Sequence, residues 1–242
     1  MNEAKKRKKF FLVWLGLAGL LIVCVCPVWS GDVFIETFSI PTFKGSYDIR
    51  NFTGIALDGS SGKLSLTNDT GWCEIPYRNG QISEQGAFMA PTKGFQLKAV
   101  ASTPSGVLVY DVLSHSIMGD TGNFRLARPI RNPTGMTHFQ GFIYIADGRR
   151  NELYVVRLSG QQAEIVQTQS LPGGVVGLAS DQRSLYAATN RKIYQYDQNF
   201  EIIGQYDLDV SINGITTGPR GELLAVAKGV NKIYIIQGIN PQ

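Results

Sequence analysis

The chain has 242 residues, 43% of them hydrophobic and 17% charged, which suits one folded domain of roughly 200 residues plus an anchor and excludes a disordered chain. Its net charge of +4 resides in the first nine residues, where Lys5, Lys6, Arg7, Lys8 and Lys9 face only Glu3 (+5 − 1 = +4), so the remainder is neutral and gives no reason to expect nucleic-acid binding. The only histidines are His115 and His138, Cys24 and Cys26 fall in an apolar run, and Cys73 stands alone, which excludes a metal-ligating Cys/His pattern and a disulfide within the domain. No cofactor is implied.

In chain order, residues 1–9 read as a basic cytoplasmic head and residues 10–29 as a transmembrane helix. The run is uncharged and about twenty residues long, enough to cross a hydrocarbon core of ~30 Å. No Lys or Arg follows until Lys44, an asymmetry that places the N-terminus in the cytoplasm and the domain on the periplasmic or extracytoplasmic side. A cleaved signal peptide is the rival, with Val28 and Ser30 permitting a cut before Gly31, although the apolar run exceeds the usual ~7–15 residues of a signal core. Residues 30–50 read as a short linker and a ring-closing strand, the alternating run 33–40. Residues 51–242 form the domain.

That domain repeats itself. The clearest copy runs Gly135-Met136-Thr137, then Gly141-Phe142-Ile143-Tyr144-Ile145-Ala146-Asp147, then Asn151-Glu152-Leu153-Tyr154-Val155-Val156. The last runs Gly214-Ile215-Thr216, then Gly221-Glu222-Leu223-Leu224-Ala225-Val226-Ala227, then Asn231-Lys232-Ile233-Tyr234-Ile235-Ile236. Others begin at Gly54, Ala99 and Gly177. The turn positions Gly62, Gly106, Gly141, Arg183 and Gly221 recur every ~40 residues, the length of one four-stranded propeller blade. Strand-length apolar runs without helical periodicity predict an all-β, five-bladed β-propeller. A sixth blade would require a degenerate copy in the interval 62–106. The last copy has three strands, and residues 33–40 are expected to pair with 233–236 and supply the fourth, removing an exposed edge.

The copies at 135–156 and 214–236 resemble NHL-type repeats of the wider SMP-30-like propeller group, which pair a Gly-Ile-Ala strand with Leu-Tyr-Val-Ala-Asp and Asn-x-x-Ile strands. The resemblance covers most of residues 51–237. It implies a blade architecture, in a group that includes lactonases, strictosidine-synthase-like hydrolases, surface proteins and interaction scaffolds.

Chemistry in such a fold is expected at the starts of the innermost strands. Those positions offer Asn51, Phe52 and Thr53; Phe95, Gln96 and Leu97; Asn132, Pro133 and Thr134; Gly174 and Val175; Ser211, Ile212 and Asn213. None is a carboxylate or histidine, as a hard-ion lactonase site or a glycosidase pair requires. Asn51, Asn132 and Asn213 are candidates for a polar ligand, and Asn is also an ordinary turn residue. His115 and the Gly-Asp-Thr-Gly of 119–122 read as turns. Arg125, Arg128, Arg131, Arg149 and Arg150 cluster in and before the third copy, as a partner-binding face would. The expectation is therefore a non-catalytic, membrane-anchored propeller: an interaction subunit held by residues 10–29 and docked on other subunits of a photosynthetic, respiratory or envelope complex. A propeller hydrolase or lactonase, and a glycan- or small-ligand-binding propeller, are the alternatives.

Overall fold

The computed structural model describes residues 33–39, 52–68, 71–78, 81–83, 88–91 and 94–239. The expected membrane span at 10–29, the basic cluster Lys5–Lys9 and Asn51 lie outside the described residues. Among those described, every regular element is a β-strand, and no helix is long and apolar enough to cross a membrane.

The strands are β1 (Phe34–Ser39), β2 (Gly54–Asp58), β3 (Lys63–Asn68), β4 (Gly71–Arg78), β5 (Gln81–Ile82), β6 (Phe88–Pro91), β7 (Leu97–Thr103), β8 (Gly106–Asp111), β9 (Ser116–Gly119) and β10 (Gly122–Leu126). They continue as β11 (Pro133–Phe139), β12 (Phe142–Asp147), β13 (Glu152–Ser159), β14 (Gln162–Ser170), β15 (Gly177–Ser180), β16 (Leu185–Ala188), β17 (Lys192–Tyr196), β18 (Ile202–Asp207), β19 (Ile212–Thr217), β20 (Leu223–Ala227) and β21 (Lys232–Gln237).

They pair as antiparallel meanders. β2, β3, β4 and β6 form one, with β5 folded onto the end of β4; β15 to β18 form another; β7 to β10 and β11 to β14 form two more, joined through β10 and β14. The last is β19, β20, β21 and β1, with Phe34 opposite Gln237 and Ser39 opposite Lys232. The interval 62–106 contains the remainder of the first meander and the start of the second.

Second strands explain the apolar runs that lack alternation. β16 and β20 are buried at every residue, because both faces of a middle sheet meet a neighbouring sheet. Ile143 and Ile145 of β12 pack with Tyr110 and Met136 towards the preceding meander, whereas Tyr144 and Ala146 pack with Leu178 and Leu185 towards the following one. Side-chain ties cross the same boundaries: Tyr110 Oη accepts from Ile130 N at 3.1 Å, and Tyr77 Oη donates to the buried carboxylate of Glu222 at 3.3 Å. The first strands, β2, β7, β11, β15 and β19, line a common axis. The fold is all-β and propeller-like.

Candidate functional site at the inner-strand starts

Each inner strand opens with a distortion. The ladder steps from Leu97 to Ala99 opposite Asp111 and Tyr110, from Pro133 to Gly135 opposite Asp147 and Ala146, and from Ile212 to Gly214 opposite Ala227 and Val226. The extra residues are Lys98, Thr134 and Asn213. The other two strands share the device: Thr53 N donates to Thr67 O although Thr67 pairs with Gly54, and Val176 N donates to Ala188 O although Ala188 pairs with Gly177. A bulge removes its extra residue from the ladder and re-aims its side chain. Thr53, Lys98, Thr134, Val176 and Asn213 thus occupy one level at the axial mouth.

One residue deeper, the strands approach so closely that backbone meets backbone. A Cβ on Gly135 would lie 2.5 Å from Leu178 N, one on Gly177 2.7 Å from Ile215 N, and one on Gly214 2.6 Å from Thr53 O. Glycine is required at these positions for space, since none has a positive φ. What remains is an axial cavity of about 10 Å³, room for one water at most. Thr53 and Thr134 line it, and their hydroxyl oxygens are buried without a hydrogen-bond partner. The mouth is therefore a blind cup.

Two carboxylates stand level with the inner-strand starts, at the ends of second strands. Asp111, the last residue of β8, lies opposite Leu97, and Asp147, the last of β12, lies opposite Pro133. Both are buried, at 1% and 2% exposure. Asp111 is fully engaged: one oxygen accepts from Gln96 N (2.8 Å) and Leu113 N (3.3 Å), the other from Ser114 N (3.0 Å) and Ser114 Oγ (2.5 Å). Burial pushes its carboxyl up, but the hydrogen bonds from Ser114, Gln96 and Leu113 outweigh burial and hold it below the ordinary carboxylate value. Asp147 is engaged on one side only. Its Oδ1 accepts from Arg149 N and Arg150 N, each at 3.1 Å, and Oδ2 has no hydrogen-bond partner among the described residues.

Of the residues singled out in the sequence, Asn132 and Asn213 stand half-buried at this mouth, with Asn132 O accepting from Gly148 N at 3.2 Å. The arginines of the cluster come from separate segments. Arg149 and Arg150 belong to the turn after Asp147, where the Arg150 guanidinium lies 3.9 Å from Glu152, and exposed Arg131 immediately precedes Asn132. Arg125 and Arg128 instead line an open groove on the outer rim. Arg128 and Arg150 meet at Tyr154: Arg128 lies over its ring at 5.8 Å and Arg150 Nη1 donates to its hydroxyl at 3.5 Å. His115 sits in a turn at φ 56°. His138 lies towards the far end of the axis, where burial lowers its pKa and hydroxyls stitch the inner strands, Thr137 Oγ1 to Ser180 Oγ at 2.8 Å and Thr217 Oγ1 to Ser180 O at 2.8 Å. Among the described residues no three His, Cys, Asp or Glu side chains gather as a metal site would require.

No protein-family model and no curated protein matches the sequence. Solved structures do match the fold. The chain is similar to the glutaminyl cyclase of Myxococcus xanthus, with a TM-score of 0.67 and 12% identity over 88% of this chain and all of that one. It is also similar to a gluconolactonase of Xanthomonas campestris, with a TM-score of 0.54 and 11% identity over 76% of this chain and 71% of that one. At such identity the likeness establishes the fold alone. It nevertheless overturns the expectation of a non-catalytic domain, which rested on a mouth without acids: chains of this fold are named enzymes. The physical reason for the error is the register. Reading first strands alone omits Asp111 and Asp147, which the second strands carry to the same level.

Proposed function

We propose that the chain is a five-bladed β-propeller enzyme working at a carbonyl carbon, as a lactone hydrolase or an aminoacyl cyclase, with the axial cup as its site. The observation that carries this reading is Asp147: a buried carboxylate, opposite Pro133 at the start of an inner strand, with one oxygen committed to the backbone and the other uncommitted. Its role is general base and then general acid. In lactone hydrolysis it takes a proton from the attacking water as the new C–O bond forms, then returns it to the ring oxygen as the old bond breaks. In cyclisation of an N-terminal glutamine it takes the proton from the α-amine as the C–N bond forms, then passes it to the departing ammonia. The amides of Asn132 and Asn213 supply polar contacts at the rim of the cup, and the unpartnered hydroxyls of Thr53 and Thr134 line the small cavity beneath, where one water at most could meet them. Five blades are supported by the five meanders and by the β1–β21 pairing, which leaves the last meander with four strands.

The location follows the sequence: an uncleaved anchor at 10–29 holds the domain on the outer face of a membrane. A mature protein beginning at Gly31 would refute that placement.

The test of the activity is turnover. The purified full-length chain is assayed in detergent with sugar lactones and with glutaminyl peptides, alongside Asp147→Asn. Asparagine retains an oxygen to accept from Arg149 N and Arg150 N, so the turn is preserved while proton transfer is lost. The expected result is turnover of one substrate class with a loss of about 100-fold in the variant. Equal rates in both proteins, with unchanged melting, would remove Asp147 from the chemistry.

A further inference from the structure

The outer rim carries a second feature. β10 ends at Leu126 and the chain turns inward, where Ile130 is buried against Tyr110. Up to that point β10 runs parallel to β14, with Arg125 opposite Gln162 and Leu126 opposite Ala163. Beyond it the two diverge, and an open groove of about 1450 Å³ separates residues 127–129 from residues 164–168.

Its walls differ in kind. One is the outer edge of β14. This nine-residue strand pairs with β13 on both sides of a bulge at Val166, whereas on the groove side only Gln162 and Ala163 are paired among the described residues. The free stretch, Glu164-Ile165-Val166-Gln167-Thr168-Gln169-Ser170, contains no proline and no lysine, two of the devices that blunt an edge, and its row is interrupted once, by the bulge at Val166. It is rich in strand-forming residues, and Val166 is 40% exposed. The other wall is basic. Arg125 and Arg128 are exposed, and neither has an ion-pair partner among the described residues. Arg128 lies over the Tyr154 ring at 5.8 Å, which fixes its direction. The single acid of the groove, Glu164, is paired with Arg157 at 2.6 Å.

A strand edge free of proline and lysine offers main-chain hydrogen bonds on each side of its bulge, and two guanidinium groups without ion-pair partners beside it select for negative charge. We propose that this groove binds an extended acidic segment of a partner protein, which adds to β14 as a further strand and places its carboxylates against Arg125 and Arg128.

The probe is a fluorescent ten-residue peptide of alternating Glu and Val, titrated against the full-length chain in non-ionic detergent and followed by anisotropy. Three controls accompany it: the Lys/Val peptide, the Glu/Val peptide N-methylated at alternate residues, and the double variant Arg125→Glu, Arg128→Glu. Both substitutions are on exposed side chains, and unchanged melting is required of the double variant because Arg128 also lies over the Tyr154 ring. The expected result is binding of the Glu/Val peptide alone, weakened roughly tenfold or more by the double variant and by raised salt, and lost on N-methylation. Amide exchange at residues 164–170 slows in the complex. Undiminished binding of the N-methylated peptide would mean charge attraction without strand addition and would overturn the proposal, as would equal binding of the Lys/Val peptide or no binding of the Glu/Val peptide.

Discussion

Asp111 and Asp147 occupy equivalent places, yet only Asp147 has an oxygen without a hydrogen-bond partner among the described residues, and that difference makes a prediction at the scale of single residues. Asp111 has four donors and a folded-state pKa held below its ordinary 3.8. A depressed carboxylate stabilises the fold above its unfolded pKa, and that contribution is lost as pH falls through the folded value. Asp111→Asn is therefore expected to cost about 1–3 kcal/mol at pH 7, since charge-assisted bonds are the stronger kind. The gap between variant and wild type should close below pH 4, as urea titrations at both pH values would reveal. A constant gap would mean that charge is irrelevant at this turn. The axial glycines give a second prediction. A Cβ on Gly177 would sit 2.7 Å from Ile215 N and 2.8 Å from the Gly214 Cα, both backbone atoms of the next inner strand that cannot swing aside. Gly177→Ala should destabilise the fold by about 1–3 kcal/mol, whereas Gly141→Ala meets no atom within 4 Å and suffers only its positive φ. Equal denaturation midpoints for Gly177→Ala and wild type would show that the strands can part.

At the scale of elements, the repeat was readable because each meander writes its own pattern. Leu185, Tyr186, Ala187 and Ala188 are all buried, and such an unbroken short run announces a strand covered on both faces. The orphan run at 33–40 was readable for a related reason: the last copy contains three strands and needs a fourth, and Phe34–Ser39 lies along Lys232–Gln237. Two features were not readable. The parallel contact between β10 and β14 joins different meanders and depends on where each outer strand ends, which no local pattern records. The arrival of Asp147 at the mouth depends on the β11–β12 register, a property of two strands together. The β1 pairing carries a prediction of its own. Ile35→Pro removes a backbone donor within β1 and should loosen that strand from Ile236, uncovering the edge of β21. A lower melting temperature and concentration-dependent aggregation in size-exclusion chromatography are expected. A monodisperse variant with unchanged melting would show that β1 is dispensable.

For the whole molecule, the ring packs its strands so tightly at the axis that the two ends become separate environments. One end has hydroxyls already spent on strand-to-strand bonds, such as Ser180 Oγ donating to His138 O at 2.7 Å. The other has unpartnered hydroxyls and an uncommitted carboxylate oxygen, and chemistry is proposed only there. The sequence displayed the ring but concealed this asymmetry, because Thr53, Thr134, Thr137 and Thr217 are indistinguishable until hydrogen-bond partners are known. The groove on the rim shares no lining residue with the axial cavity, so binding there and turnover at the axis should be separable by mutation. The most direct measurement of the central claim is a crystal structure of the full-length chain grown with the product of whichever reaction it performs, a pyroglutamyl peptide or an opened lactone. The account predicts product density in the cup, with a polar atom within hydrogen-bond distance of Asp147 Oδ2. Density confined to the His138 end of the axis or to the outer groove would contradict it.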